Sequence, residues 1–434
     1  MLRVLIAALS FCSFMVSAQT SQRISLEEQL YYLPDVRFEA VEDRDSTVET
    51  YRLFVRQPLD HTNPDAGHFE QQVLLTHHGF DRPVVMSTQG YTLFTGRNEL
   101  EAILDANHVN IEHRFFGKST PEGKPWPYLT LENVAADLHH INQLMRRLYS
   151  GKFISTGISK GGQTTIFYRY FYPDDVAVSI PYVAPFNQGL EDKRIYDFLD
   201  TVGTKECRDH IREFQIYLLK NEKAALDRLK WYSRGAKITY DYLGSIERAY
   251  EYAVLEYSFS FWQSGANCAD IPPLEGLTLD AALDHFLEVS SMSFFGDGAM
   301  ETYASHYYQA ATQMGYYGYD IKPFKKYLTQ FTTNPLATFA PKSAGKTVYS
   351  NKLNEAARKW LDEEGNNFLY IYGGSDTWSA DRVIPTDETN SQVFILPRTD
   401  HYRARIQNMS PAEQERFAAY LREWTGLEVD MSVL

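Results

Sequence analysis

A chain of 434 residues and 50.0 kDa, 44% hydrophobic and 23% charged, is long and apolar enough to bury a large core, which excludes disorder as its general state. Lys and Arg total 42 against 56 Asp and Glu, a formal net charge of −14. With no basic run, that balance excludes nucleic-acid binding through clustered cations and gives no support for docking on anionic lipid.

The first residues read as an address. Arg3 is followed by an apolar stretch to Val16, and Val16-Ser17-Ala18 offers the small residues that a signal peptidase reads. The expectation is a signal peptide over 1–18, cleaved after Ala18, and a secreted or periplasmic product. The stretch is too short to span a bilayer, and no later run is long and apolar enough, so no membrane insertion is expected. After cleavage only Cys207 and Cys268 remain. An oxidising compartment would allow them to pair as a disulfide; the other reading is two buried thiols. Two cysteines and scattered histidines give no metal-site spacing, so neither metal nor cofactor is expected.

From residue 51 the chain alternates. Segments 51–55 and 71–75 read as antiparallel opening strands. The apolar run 83–87, ending at Gln89-Gly90, reads as a buried parallel strand. A helix over 98–106 and a strand over 108–112 follow. Thr130 is a plausible N-cap for a helix whose apolar positions Val134, Leu138, Ile141, Leu144, Met145 and Leu148 recur at three and four. Then come a strand (153–156), a helix (161–172, stopped by Pro173) and a strand (176–183). Such alternation predicts an α/β fold, a mostly parallel sheet with helices on both faces.

Between residues 186 and 350 the rhythm becomes helical, with helices expected over 207–219, 223–231, 246–262, 279–290 and 303–314. Sixteen of the thirty tyrosines fall in this segment, side chains with an apolar body and a polar tip that suit a cleft wall as well as helix packing. Strands return at 368–372 and 393–396, and a last helix, 411–424, has Ser410 as N-cap. The layout is a first core part over 19–185, a helical cap over 186–350 and a second core part over 351–434.

The chemistry sits at strand ends. Gly157-Ile158-Ser159-Lys160-Gly161-Gly162 has the G-x-S-x-G form. The apolar strand before it and the amphipathic helix after it make this a nucleophile elbow, with Ser159 thrust above the sheet edge. The Lys160 N–H would form half of an oxyanion hole at the helix N-terminus. Its side chain has no evident use there, and a cation opposes the helix dipole. The second donor is expected after the 83–87 strand, at Gly90 or Tyr91.

A serine hydroxyl needs a base, and the base needs a carboxylate to hold its tautomer. Beyond the helical segment there is one histidine, His401, in the loop after the last strand. Asp376, in Gly373-Gly374-Ser375-Asp376, closes the preceding strand and is the expected acid. Asp400 is the rival, but adjacency to His401 makes it hard for that carboxylate to reach the same imidazole.

Glu112-His113-Arg114 closes another strand. It is either a structural ion pair that shapes a loop or a pair in which Glu112 or Arg114 binds a charged substrate end.

These stretches, with Trp126-Pro127-Tyr128, Phe171-Tyr172-Pro173-Asp174-Asp175, Phe261-Trp262-Gln263 and Gln309-Ala310-Ala311-Thr312, resemble the secreted prolyl tripeptidyl aminopeptidases over most of the mature chain, and more distantly the lysosomal prolyl carboxypeptidases. The resemblance implies an α/β-hydrolase core with a helical cap, and a serine exopeptidase with Ser159 as nucleophile, Asp376 as acid and His401 as base. It implies release of short peptides from a free N-terminus, often after proline. The expected partners are therefore peptides with free N-termini. An α-ammonium group would need a carboxylate, for which Glu256 is the candidate, with a solvated helix face as its other reading. Phe261 and Trp262 could wall a proline-sized pocket or belong to the core. An ester or lipid hydrolase on the same core, or a binding protein without the chemistry, are the alternative classes.

Overall fold

The computed structural model describes residues 25–41, 48–96 and 98–434; the expected signal peptide lies outside them. Among the described residues nine strands form one sheet: β1 (Val36–Val41), β2 (Glu49–Pro58), β3 (His68–His77), β4 (Val84–Thr88), β5 (Asn107–Ile111), β6 (Phe153–Ile158), β7 (Val178–Tyr182), β8 (Leu369–Gly373) and β9 (Gln392–Leu396). Their spatial order is β1-β2-β3-β5-β4-β6-β7-β8-β9. The pairs β1·β2, β2·β3 and β3·β5 are antiparallel, and every pair from β5 through β9 is parallel. This is the α/β-hydrolase order with an added edge strand, β1.

The sequence dictates the layers. Strands β4, β5, β7 and β8 are buried throughout, and β6 in all but its last residue, the exposed Ile158, which is why they read as apolar runs rather than as alternation. Successive side chains still point to opposite faces. Val84 and Met86 pack with Leu138, Ile141 and Met145 of the helix Leu131–Met145. Val85 packs with Leu100 and Ile103 of the helix Glu99–Leu104 and with Phe417 and Leu421 of the helix Pro411–Thr425. Thr130 caps the Leu131–Met145 helix by accepting from the Asn133 N–H, and Ser410 forms a capping box with Glu413.

β4 is flanked by β5 on one side and β6 on the other. The chain order reverses there, which opens a crevice beyond the carboxyl ends of β4 and β6. Both the glycine loop after β4 and the elbow after β6 face that crevice.

Between β7 and β8 the chain is mainly helical, with the helices Lys205–Lys220, Glu222–Ala236, Ile246–Ser264 and Leu279–Val289 packed around Phe214, Tyr250, Tyr257, Phe261 and Phe286. The expected helix over 303–314 is two pieces, Ala304–Gln309 and a π-helical turn Ala310–Met314 that stops at Gly315, φ 76°. The helices Arg194–Thr201 and Lys352–Glu363 and the strand β1 are further elements that the sequence pattern does not announce. β1 is an edge strand with charged residues on its open face, so its apolar signal is weak. The Cα atoms of Cys207 and Cys268 are 5.6 Å apart, a separation that a disulfide spans. Among the described residues no helix is long and apolar enough to cross a membrane.

Candidate active site

The elbow is built from close backbone contact. Ser159 has φ 57° and ψ −125°, a conformation that costs a non-glycine residue energy and persists only where its surroundings hold it. Its N–H donates to the Tyr182 carbonyl of β7 at 2.8 Å. A Cβ on Gly157 would fall 2.2 Å from the Gly161 carbonyl oxygen, so strand and helix can meet only with glycine there. Thr88 Oγ1 donates to the Gly161 carbonyl at 2.8 Å and ties the elbow to β4. The helix Lys160–Phe171 then runs back under the sheet, and the Ser159 side chain is half-buried at its start.

Gly90 packs against the same turn; a Cβ there would lie 2.6 Å from Lys160 Cβ and 2.7 Å from the Gly161 nitrogen. Among the described residues neither the Tyr91 N–H nor the Lys160 N–H donates to a protein acceptor. Two N–H groups without a protein acceptor therefore belong to residues that line one recess with Ser159, and an oxyanion requires donors of that kind.

Asp376 and His401 follow the ends of β8 and β9 and meet. His401 Nδ1 lies 2.8 Å from Asp376 Oδ2, and Asp376 Oδ1 accepts the Trp378 N–H at 3.1 Å. An ionised carboxylate only accepts, so Nδ1 carries the hydrogen and Nε2 keeps its lone pair, the tautomer a general base needs. Both side chains are buried. The helical segment holds their loops: the His401 N–H donates to the Gln263 carbonyl at 3.1 Å, and Thr377 Oγ1 to the Phe259 carbonyl at 2.9 Å. Asp400 is turned away, accepting from the Tyr402 and Arg403 N–H groups at 2.8 and 2.9 Å and pairing with the Arg403 guanidinium. Ser159 Oγ makes no hydrogen bond to another described residue; in unliganded sites the serine–histidine bond commonly tightens only with substrate.

Ser159 forms part of the wall of a small recess, with Tyr91, Pro185, Met314, Tyr316 and Trp378 supplying flat or apolar surface. His306 also lines it, buried, with neither ring nitrogen partnered among the described residues. Burial, helped by Lys160, pushes the His306 pKa down to about 3, so the imidazole is neutral. His306, Met314 and Tyr316 come from the stretch around the π-helical turn. A lone histidine among tyrosines has no spacing to single it out, and sequence reasoning missed it.

The sequence profile of the PS-10 peptidase S37 family matches residues 21–431. The chain belongs to that family. The prolyl tri/tetrapeptidyl aminopeptidase of Streptomyces mobaraensis is 32% identical over 420 residues, covering 94% of this chain and 86% of that one. The resemblance read from the motifs is thus borne out, and this S37 peptidase is a serine aminopeptidase. Among solved structures, the acetyl xylan esterase from Paenibacillus sp. R4 aligns over 92% of both chains at 10% identity and a TM-score of 0.38. The proline iminopeptidase of Mycobacterium smegmatis aligns over 85% of this chain and 96% of that one, at 14% identity and a TM-score of 0.36. Likeness at that distance leaves the fold to be read from the strand order.

The remaining candidates in the S37 chain lie elsewhere. Arg114 does not face substrate. Its guanidinium donates to Asp137 Oδ2 at 2.6 Å and Oδ1 at 2.7 Å, and to the carbonyls of Leu59 (2.9 Å), Tyr128 (2.7 Å) and Pro58 (3.1 Å). All five N–H groups are used, so none remains for a ligand. Glu112 is likewise enclosed, with Oε2 accepting from the Ser119 N–H at 2.9 Å and hydroxyl at 2.7 Å and Oε1 from the Leu93 N–H at 3.3 Å. Glu112 and Arg114 thus have separate partners rather than each other.

Glu256 is buried rather than on a solvated face. It accepts from the hydroxyls of Tyr317 (2.9 Å), Tyr319 (2.7 Å) and Ser260 (3.1 Å), and burial raises its pKa to about 7. It lines neither the Ser159 recess nor the second cavity, so no ammonium contact is shown. Phe261 is core. Trp262 lines the second cavity, between the helices of the insertion, beside Phe259 and Tyr317.

Proposed function

We propose that this S37 peptidase is an exported exopeptidase that releases short peptides, chiefly tripeptides ending in proline, from free N-termini through an acyl-enzyme on Ser159. Ser159 Oγ attacks the scissile carbonyl while His401 Nε2 takes its proton. The oxyanion sits between the Lys160 and Tyr91 N–H groups. His401 returns the proton to the leaving amine as the C–N bond breaks, and water then hydrolyses the ester by the reverse roles. Asp376 holds His401 in the productive tautomer.

The observation that carries the reading is the recess beside Ser159. Tyr91, Pro185, Met314, Tyr316 and Trp378 give it aromatic and apolar walls, surfaces of the kind against which a proline ring packs. The relative in Streptomyces mobaraensis is a prolyl tri/tetrapeptidyl aminopeptidase, which supports the same preference. Residues 186–350 act as a cap: with Met314 and Tyr316 at the recess and Gln263 and Phe259 against the catalytic loops, they crowd the approach to Ser159, which favours chain ends over chain interiors. The leader over 1–18 supports export, and in an oxidising compartment Cys207 and Cys268 would form a disulfide across the cap.

The test is a panel of peptidyl-p-nitroanilides with free and acetylated N-termini, one to four residues long, with Pro or Ala before the scissile bond, beside p-nitrophenyl esters. Free tripeptides ending in proline should be cleaved best. Equal cleavage of acetylated substrates, or esters cleaved with no peptide preference, overturns the reading.

A further inference from the structure

The side chain of Lys160 is buried immediately after the nucleophile and has no carboxylate within ion-pair distance among the described residues. Burial holds its pKa well below that of an ordinary lysine. A charge-pairing role is therefore absent, and its contacts suggest a geometric one. Nζ donates to the Gly90 carbonyl at 2.8 Å and lies 3.1 Å from His113 Nε2. His113 Nδ1 is 2.7 Å from the Arg114 carbonyl, so Nδ1 carries the ring hydrogen and Nε2 must accept. The rings of Tyr91 and Phe116 flank Nζ at 5.6 and 5.4 Å. The His113 N–H also holds the Tyr91 carbonyl, at 3.1 Å.

The Gly90 carbonyl and the Tyr91 N–H belong to one trans peptide and point in opposite directions. Gly90 must be glycine to pack on the elbow, and glycine lowers the barrier to rotating that peptide. Rotated, it would present a carbonyl to the oxyanion in place of an N–H.

We infer that Lys160 is a positioning residue that contributes twice to one oxyanion hole, donating its own N–H and, through Nζ on the Gly90 carbonyl with His113 as backstop, fixing the Tyr91 N–H toward the reacting carbonyl. This rests on the acyl-enzyme reading above. It also gives the Glu112-His113-Arg114 stretch a function in its middle residue, where the sequence pointed to the outer two.

Lys160→Met keeps the length and loses the donors. On a free prolyl tripeptidyl-p-nitroanilide, kcat should fall about 100-fold, the typical effect of losing one oxyanion donor, with KM within about twofold. Affinity for a peptidyl trifluoromethyl ketone, which binds as an oxyanion on the serine, should fall in parallel, and inhibition by the product tripeptide should not change. His113→Leu removes only the backstop and should show the same split at about a tenth of the size; it decides the matter if Lys160→Met does not fold. Unchanged kcat in the folded variants, or equal losses in product and ketone affinity, overturns the clamp. A wild-type enzyme that forms no ketone adduct, or a Ser159→Ala variant that still turns over, would instead sink the acyl-enzyme reading, and the clamp with it.

Discussion

Two buried polar clusters sit at the ends of adjacent strands, and they are opposites. At the end of β5, Arg114 spends all five N–H groups on Asp137 and three carbonyls. At the ends of β4 and β6, the Tyr91 and Lys160 N–H groups and both nitrogens of His306 have no partner among the described residues. In the sequence both places look equally chemical. A buried polar group without a partner costs free energy, so a protein keeps several together only where a ligand completes them. The closed cluster belongs to the fold, and the open one is where we place the substrate.

The comparison can be broken most sharply at the carboxylates beside His401. Asp376→Asn should lower kcat about 10⁴-fold, because the asparagine amide favours the wrong imidazole tautomer. Asp400→Asn should change kcat by less than about tenfold, since Asp400 caps its own turn. Steady-state rates on one peptidyl-anilide decide, and the reverse ranking would make Asp400 the acid. Next is the closed cluster: Arg114→Leu leaves Asp137 buried without its guanidinium and should cost about 3–5 kcal/mol in urea unfolding, with KM of the folded enzyme unchanged. A raised KM at full stability would return Arg114 to the substrate.

Glu256 sharpens the contrast through pH. Its folded pKa of about 7 lies above the ordinary 4.5. Between those values the folded chain keeps a proton that the unfolded chain has lost, so its contribution is full below pH 4.5 and is lost as pH rises through 7. The difference approaches about 3 kcal/mol at 1.36 kcal/mol per pH unit. Glu256→Gln should accept the same tyrosine hydroxyls and flatten that part of the stability profile, measured by urea titrations at pH 5 and pH 8. A variant with the wild-type slope contradicts this. The smallest effect belongs to His306. His306→Phe replaces an unpartnered polar group, so stability should hold or rise by about 1 kcal/mol while kcat/KM falls. A clear loss of stability would mean that the ring is structural.

What the sequence disclosed was local. The elbow is legible because strand, Gly157, Ser159, Gly161 and helix are contiguous, and its strain follows from those neighbours. Asp376 was legible because glycines close β8 just before it, and His401 because no other histidine follows the helical segment. Arg114 was not, because its partners at 58, 59, 128 and 137 are brought together only by the folded β2 end and the Leu131–Met145 helix. Glu256 shows no helix-face signal for hydroxyls that come 61 and 63 residues later. The alternation gave the parallel strands, but β1 and the helix breaks depend on tertiary contacts that override propensity.

The central claim is that Ser159 is the nucleophile. Reaction with a fluorophosphonate, followed by mass spectrometry of the digested protein, tests it directly. The account predicts one adduct, on the peptide bearing Ser159, formed in step with loss of peptidase activity and much more slowly in His401→Ala. An adduct at another residue, or full inactivation with Ser159 unmodified, would contradict it.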